Sequence, residues 1–386
     1  MGVNVVKLED IANVDYGTRV VKSKVEGDEY PVYGGGGETF RINKYNREHC
    51  VVVSRFAMSP KCTRYVNEKI FLNDSGLTVS TKDNSLLLQE YLDWYLLSKN
   101  DEIYSLGRGA GQRNLEIPSF KRMLISYPTD LEEQRKIISQ LKLADEIRAK
   151  KKLANDKLDE FLKSTFISMF GDPRTNNKNW HMNTLEGIVA NDKHSIKRGP
   201  FGGSLKKEIF KESGYLVYEQ THAIHNDYNF ARYYIDEKKY KEMQIFKVVP
   251  GDLIISCSGV TLGRISEIPP NAAPGIINQA LLKISLNPEI VDNKYFIALF
   301  RDRYVQNKIF EISRGSGIPN MPSVSVLKQL QFMTPPIELQ NKFAQIVEKV
   351  EAQKQKNELV IEQMNNLFNS LSQRAFKINR SSSYNS

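Results

Sequence analysis

Two stretches of this chain carry the same pattern of apolar and polar positions, 206 residues apart. In the first, Ile137, Ala144, Ile147, Ala154, Leu158 and Phe161 fall at steps of three, four or seven. Phe343, Ile346, Val350, Val360, Met364, Leu367 and Leu371 follow the same rhythm in the second, with one wider step. Such a seam predicts helices that pack along their length. Lys151, Gln353 and Asn357 fall on it, and polar seam residues fix register at some cost in stability. Thr129 with Glu132 reads as a capping box, Gly171-Asp172-Pro173 as a stop, and Pro335-Pro336 as an opening for the second helix. Each helix is then about 35–40 residues, or roughly 55 Å at about 1.5 Å per residue. Two matched helices in one chain are expected to pack on each other, antiparallel.

The match is wider than the seam. Arg108-Gly109-Ala110-Gly111 becomes Arg314-Gly315-Ser316-Gly317, Asn114 becomes Asn320, Gln134 becomes Gln340 and Phe170 becomes Phe376, with no gap. The chain is a tandem duplication. Leu8-Glu9-Asp10-Ile11 and Leu185-Glu186-Gly187-Ile188 open the two halves at a smaller offset, 177. The second globular part is therefore longer by about thirty residues, while the helices match one for one. Between these anchors, period-two and short apolar runs predict strands at Tyr30–Tyr33, Cys50–Ser54, Ile70–Leu72, Ser85–Leu88, Gly214–Tyr218, Leu253–Ser256 and within Gly275–Ser285, with short helices at Tyr91–Leu97 and Lys294–Arg301. The expected fold class is α/β (α+β): a globular domain over 1–128, a long helix over 129–171, a second domain over 172–334, a second helix over 335–378, and a Ser/Asn-rich disordered tail over 379–386.

Composition narrows the class. The chain has 386 residues, 40% hydrophobic and 26% charged, within the soluble globular range. No apolar run approaches the roughly eighteen residues of a membrane span and the start has no signal-peptide character, so a cytoplasmic protein is expected. Cys50, Cys62 and Cys257 are too few and too scattered for a disulfide frame or a metal site. The formal charge is +9; residues 173–334 hold 21 Lys and Arg against 15 Asp and Glu, and residues 1–128 hold 17 against 16. That mild basic surplus favours a polyanionic partner without deciding for one.

Catalytic patterns are missing. Gly34 to Gly37 lacks the Lys-Ser/Thr of a phosphate loop and reads as a wide turn presenting backbone amides. His222 and His225 have no third ligand at metal spacing and read as surface or turn histidines. There is no dinucleotide fingerprint, methyltransferase motif or nucleophile elbow. What remains is basic residues beside glycines and amides: Arg108 to Asn114, Arg314 to Asn320, and Lys197 to Ser204 with Lys206 and Lys207. Arg and Lys bind phosphates, Arg, Asn and Gln pair with base edges, and glycines permit close approach to a backbone. Singly, each also fits a solvated turn.

Taken in order, these stretches resemble the specificity subunit of a type I restriction–modification system. Tyr30-Pro31-Val32-Tyr33-Gly34-Gly35-Gly36, Gly107 to Leu115, Phe170-Gly171-Asp172-Pro173 up to Trp180, Gly199 to Leu205, and Gly251-Asp252 through Asn278-Gln279 carry the resemblance, over essentially the whole chain. It implies two target-recognition domains separated by paired antiparallel helices, double-stranded DNA with a bipartite target, and two copies of a methylation subunit docked on the helices. It also implies a separate restriction and motor subunit. No cofactor or metal would be bound by this chain; S-adenosylmethionine, Mg and ATP would be used by the partners. The candidate DNA contacts are Tyr33, Gly35, Arg41, Arg55, Lys61, Arg108, Gln112, Arg113 and Asn114 in the first domain. In the second they are Lys197, Arg198, Ser204, Lys206, Thr261, Arg264, Gln279, Arg314, Ser316 and Asn320. A coiled-coil scaffold that binds only proteins is the competing reading.

Overall fold

The structure is a computed structural model and describes residues 2–311 and 320–376. The predicted tail over 379–386 lies outside the described residues. The chain forms two compact units, Met1–Ala154 with Asn357–Ser386, and Asn155–Lys356.

In the first unit the alternating segments build a six-stranded sheet in the order Ala12–Tyr16, Gly76–Thr81, Arg47–Ser54, Thr63–Leu72, Tyr30–Gly34, Gly37–Ile42. All its pairings are antiparallel except that of Tyr30–Gly34 with Thr63–Leu72. One face of this sheet buries Val51, Val53, Leu77 and Val79 against Leu92, Tyr95 and Leu96 of helix Gln89–Ser98. Ser85–Leu88, expected as a strand, is a turn instead. The Asp83 carboxylate accepts from Ser85 N at 2.7 Å, and that local bond competes successfully with any ladder. A separate antiparallel pair, Val3–Lys7 with Leu124–Pro128, closes the unit.

The second unit has two four-stranded sheets, Ile196–Arg198, Leu281–Ile284, Leu253–Ser256, Ile265–Glu267, and Tyr234–Ile235, Tyr215–Tyr218, Gly275–Ile277, Lys247–Val248. The pair Met182–Thr184 with Gln331–Met333 occupies the place of the closing pair in the first unit. Mainly antiparallel sheets combined with helices packed on them give the mixed class expected.

The long helices run from Leu131 to Phe170 and from Ile337 to Ala375, 40 and 39 residues. They are antiparallel within each unit. Arg148 and Lys151 donate to Asn365 and Asn357 in the first, and Lys354 Nζ donates to Asp159 at 2.8 Å in the second. The seam needs three corrections. Phe161 is 49% and Leu367 44% exposed, and Gln353 is exposed as well; Leu162, Phe368 and Lys354 take the inward positions. From Leu158 the apolar positions advance in fours, Leu158, Leu162, Phe166, Phe170, and each such step turns the buried face by about 40°. That rotation brings Phe166 and Phe170 onto Tyr295 and Phe343. The helix start also differs from expectation. Asp130, not Thr129, caps it by accepting from Glu132 N at 2.9 Å, because the Thr129 hydroxyl and N–H both donate to Gly2 O, just ahead of strand Val3–Lys7.

The ends explain why the helices repeat so strictly. Gln134 is fully buried and bonds to Leu88 N, Leu86 O and Pro128 O; Gln340 is fully buried and bonds to Asp292 N, Ile290 O and Pro335 O. Phe376 meets Tyr91 and Tyr95 edge-on at 5.3 and 5.1 Å, and Phe170 meets Tyr295 at 4.6 Å. Each unit thus anchors the start of one helix and the end of the other with equivalent residues.

Asp93, 6% exposed, is buried beneath the first sheet, and its carboxyl accepts from Gln89 Nε2 at 2.9 Å. Burial pushes its pKa up to about 6 from 3.8. A raised carboxyl pKa penalises the folded state above pH 6, and the penalty vanishes below about 3.8. Asp93→Asn keeps the acceptor for Gln89, so it is expected to stabilise the first unit by up to about 2–3 kcal/mol at pH 7.5 and by little at pH 4. Denaturant unfolding at both pH values measures this; a gain independent of pH would mean the cause is not the charge.

Candidate nucleic-acid interface

Four loops of the first unit are tied into one face. The hairpin at Gly34–Gly37 is tight, with Gly34 opposite Gly37, not the wide amide-presenting turn that its four glycines suggest. Its Gly35 turns both backbone groups inward: Gly35 N donates to Ser75 Oγ at 3.1 Å, and Gly35 O accepts from Ser54 Oγ at 2.6 Å and Arg64 at 2.7 Å. Arg64 also donates to Lys61 O at 3.3 Å, and Tyr33 O accepts from Asn73 N next to the Ser75 turn. The second hairpin, Gly107-Arg108 paired with Asn114-Leu115, is stitched to the end of strand Arg47–Ser54: Leu115 N donates to Arg55 O, Met58 N to Arg113 O and Ala57 N to Asn114 Oδ1. Between its strands, Gly109 has φ +119°, and a Cβ there would lie 2.2 Å from Gln112 O, so only glycine fits.

These ties bring Tyr33, Gly35, Arg55, Lys61, Arg108, Gln112, Arg113 and Asn114 together. Lys61, Arg108, Gln112 and Asn114 are exposed, and Arg113 lies over the Tyr104 ring at 4.6 Å. Arg41 is elsewhere. It stands four residues along its strand from Gly37, roughly 13 Å at about 3.3 Å per residue. Its guanidinium bonds Asp28 O, Glu29 O and Glu38, which closes the other end of the hairpin. Arg64, Tyr16 and Phe56 belong to the face without having been singled out. Tyr16 and Phe56 flank Arg55 at 4.8 and 4.5 Å, and the adjacent pair Arg55-Phe56 was the one signal in the sequence.

The second unit builds the same junction with other side chains. Met321 N donates to Cys257 O, as Leu115 N does to Arg55 O, and Asn320 bridges Ser258. Arg198 reaches the junction from strand Ile196–Arg198, its guanidinium 2.7 Å from Asn320 Oδ1. Gln220, also not singled out, donates to Ser256 Oγ at 2.9 Å and Ser258 O at 3.2 Å, and Thr261 Oγ1 lies 3.3 Å from Ser256 Oγ. Gly199 packs so tightly on the 278–281 turn that a Cβ would sit 1.8 Å from Asn278 O, which sets exposed Gln279 beside strand Ile196–Arg198. Arg264 is exposed at the end of the loop that carries Thr261, Ser204 and Lys206 are exposed beyond Gly199, and the Lys197 ammonium lies over Phe246 at 5.1 Å. Arg314 and Ser316 lie outside the described residues. His222 is not a surface histidine: it is fully buried, with Nδ1 accepting from Glu219 N and Nε2 donating to Phe230 O, both at 3.0 Å. It caps helix Gln220–His225 from inside the core, a role that depends on a residue eight positions away.

The sequence profile of the type I restriction modification DNA specificity domain matches residues 1–156 and again 177–363. No curated protein matches the chain. Among solved structures, the S subunit of a type I restriction–modification system from M. genitalium is similar in fold, at 17% identity and TM-score 0.64, over 98% of this chain and 97% of that one. A chain from work on complex assembly and conformational transition of the type I restriction–modification system is similar at 16% identity and TM-score 0.53, over 97% of each. The twice-matched profile, laid over twice-built loop faces, shows that this chain belongs to the type I restriction–modification DNA specificity family, whose members give such systems their DNA sequence specificity.

Proposed function

We propose that each unit reads one half of a bipartite duplex target through its loop face, and that two copies of a methylation subunit dock on the paired helices. The chain itself catalyses nothing: methyl transfer from S-adenosylmethionine, and Mg- and ATP-dependent cleavage, belong to partner subunits in the cytoplasm. One observation supports this most directly. The junction of strand end and hairpin is built twice with the same backbone bonds, yet it carries Arg55 in one unit and Cys257 in the other. A shared frame with different side chains suits two readers of unlike sequence, since phosphate contacts position and base contacts specify. The helices, strictly repeated, suit two copies of one partner. Family membership weighs against the protein-only scaffold. No described helix is long and apolar enough to cross a membrane.

The test uses the purified chain alone and in complex with its methylation subunit, each incubated with labelled S-adenosylmethionine and duplex DNA. Methyl transfer is expected from the complex only, with two methylation subunits per chain by native mass. Transfer by the chain alone would overturn the assignment.

A further inference from the structure

We infer that Arg55 is a specificity-determining residue of the first unit and that the chemistry it reads is the major-groove edge of a guanine. The inference rests on the reading that the loop face of that unit meets DNA.

Arginines that look alike in sequence differ in what folding leaves them to offer. Arg41 uses Nε and both terminal nitrogens on Asp28 O, Glu38 and Glu29 O. Arg47 is similarly spent on Thr78, Asn46 O and Tyr16 O. In the second unit, Arg198 gives one terminal nitrogen to Asn320 and the other to Met321 O. Arg55 differs. Among the described residues the single hydrogen bond of its side chain is a long one, 3.4 Å to Asp74 O. A guanidinium has five N–H donors, so most of its donors face no protein acceptor among the described residues.

Its position is nonetheless fixed. The guanidinium carbon lies 4.8 Å from the Tyr16 ring centroid and 4.5 Å from that of Phe56, so two aromatic rings pack against it. Its own backbone is pinned as well, Arg55 N to Ser75 O and Arg55 O to Leu115 N. A planar fork held in place with donors to spare suits bidentate pairing to guanine O6 and N7, the commonest specific arginine contact in the major groove. Because the stack already restricts the side chain, less conformational entropy remains to be lost on binding. A phosphate contact needs no such restraint. At the equivalent junction of the second unit stands Cys257, fully buried and with its thiol pushed up to about 11 by that burial, so the guanine read by Arg55 belongs to one half of the target only.

The test uses the full chain in complex with its methylation subunit and a pool of duplexes randomised around the wild-type target, read by sequencing the methylated products. Arg55→Met keeps an unbranched chain against the two rings while removing every side-chain donor. It is expected to lower discrimination at one guanine position by about tenfold or more and to leave the other half of the target unchanged. In the wild-type target, 7-deazaguanine at that position, which lacks the N7 acceptor, should slow methylation to a similar degree and have no further effect on the Arg55→Met complex. Should Arg55→Met fail to fold, Arg55→Lys keeps the charge, loses the fork and is expected to lose the same discrimination. The proposal is overturned if the half read by the first unit contains no guanine. It is equally overturned if Arg55→Met weakens all sequences alike and lowers the salt slope by about one, the signature of a phosphate contact. Arg108→Ala and Arg113→Ala separate the role of Arg55 from the role of the loop face. If either alters rate or salt dependence while Arg55→Met changes nothing, only the Arg55 assignment fails. If all three match wild type, the loop face is not the DNA face.

Discussion

Gln134→Met is expected to destabilise the first unit by about 3 kcal/mol or more, and Gln340→Met to do the same to the second. Methionine conserves volume, so the loss isolates the hydrogen bonds. Each glutamine is fully buried and serves three backbone groups at once. Gln134 Oε1 accepts from Leu88 N at 2.9 Å, and its Nε2 donates to Leu86 O at 2.9 Å and Pro128 O at 2.8 Å. Gln340 repeats this with Asp292 N at 2.9 Å, Ile290 O at 3.0 Å and Pro335 O at 2.7 Å. A buried backbone group left unpaired costs about 1–3 kcal/mol, and the N–H, having a single bond to give, costs more than a carbonyl with a second lone pair. Leu88 and Asp292 are the N-cap residues of helices Gln89–Ser98 and Asn293–Arg301. Each amide therefore locks the start of a long helix to the start of the helix that covers its domain's sheet or core. The two sites share no partner, so the costs should add in the double variant. Denaturant unfolding followed by tryptophan fluorescence and circular dichroism measures both. A loss under about 1 kcal/mol from either would show that water replaces the amide.

Exchanging residues 189–320 for the matching segment of a relative with a different target is expected to rewrite one half of the methylated motif and leave the other half as it was. The boundaries follow from the structure. The exchanged segment leaves the native pair Met182–Thr184 with Gln331–Met333 intact, together with helix Leu185–Ile188, whose Leu185 N bonds Leu330 O. It also leaves both long helices and the glutamine at each start. The exchanged part carries Lys197, Arg198, Ser204, Lys206, Thr261, Arg264, Gln279 and Asn320, all the described candidates of the second unit, together with Gln220 and Cys257. One wrong base pair costs about 1–3 kcal/mol, so replacing a half-target of even three base pairs should shift preference by at least about a hundredfold. Sequencing of methylated sites reads the result. Changes in both halves would show that the units do not read independently, and an unchanged motif would remove the second loop face from recognition. Tyr295 is part of the exchange and packs on Phe166 and Phe170, so a donor with an aromatic residue there is needed for the chimera to fold.

Local pattern was enough to reveal the duplication, the two long helices, and the pairing of Asn114 with Asn320 and of Gln134 with Gln340. Helical periodicity and repeat offset are properties of neighbouring residues, and neighbouring residues are what a chain displays. The phase of the seam was not local. Phe161 and Leu162 are equally apolar, and the choice between them was made by Tyr295 and Phe343, which the helix meets only after it reaches the domain core. Nor did the basic residues sort themselves along the chain. Arg41 and Arg55 look alike in sequence, but Arg41 is consumed by the turn at Asp28 and Glu29, while Arg55 packs against two rings with most of its donors unspent. His222, read as a turn residue, has both ring nitrogens satisfied by backbone groups deep in the second unit. Gln134 carries the same lesson: on a helix one glutamine resembles another, and only the fold of residues 86–88 over it makes it a buried clamp. Spacing along the chain therefore determined which elements form and that they form twice. Long-range contacts decided which side chains are spent holding the fold and which keep donors to spare, because a donor's availability depends on acceptors that folding brings from elsewhere in the chain.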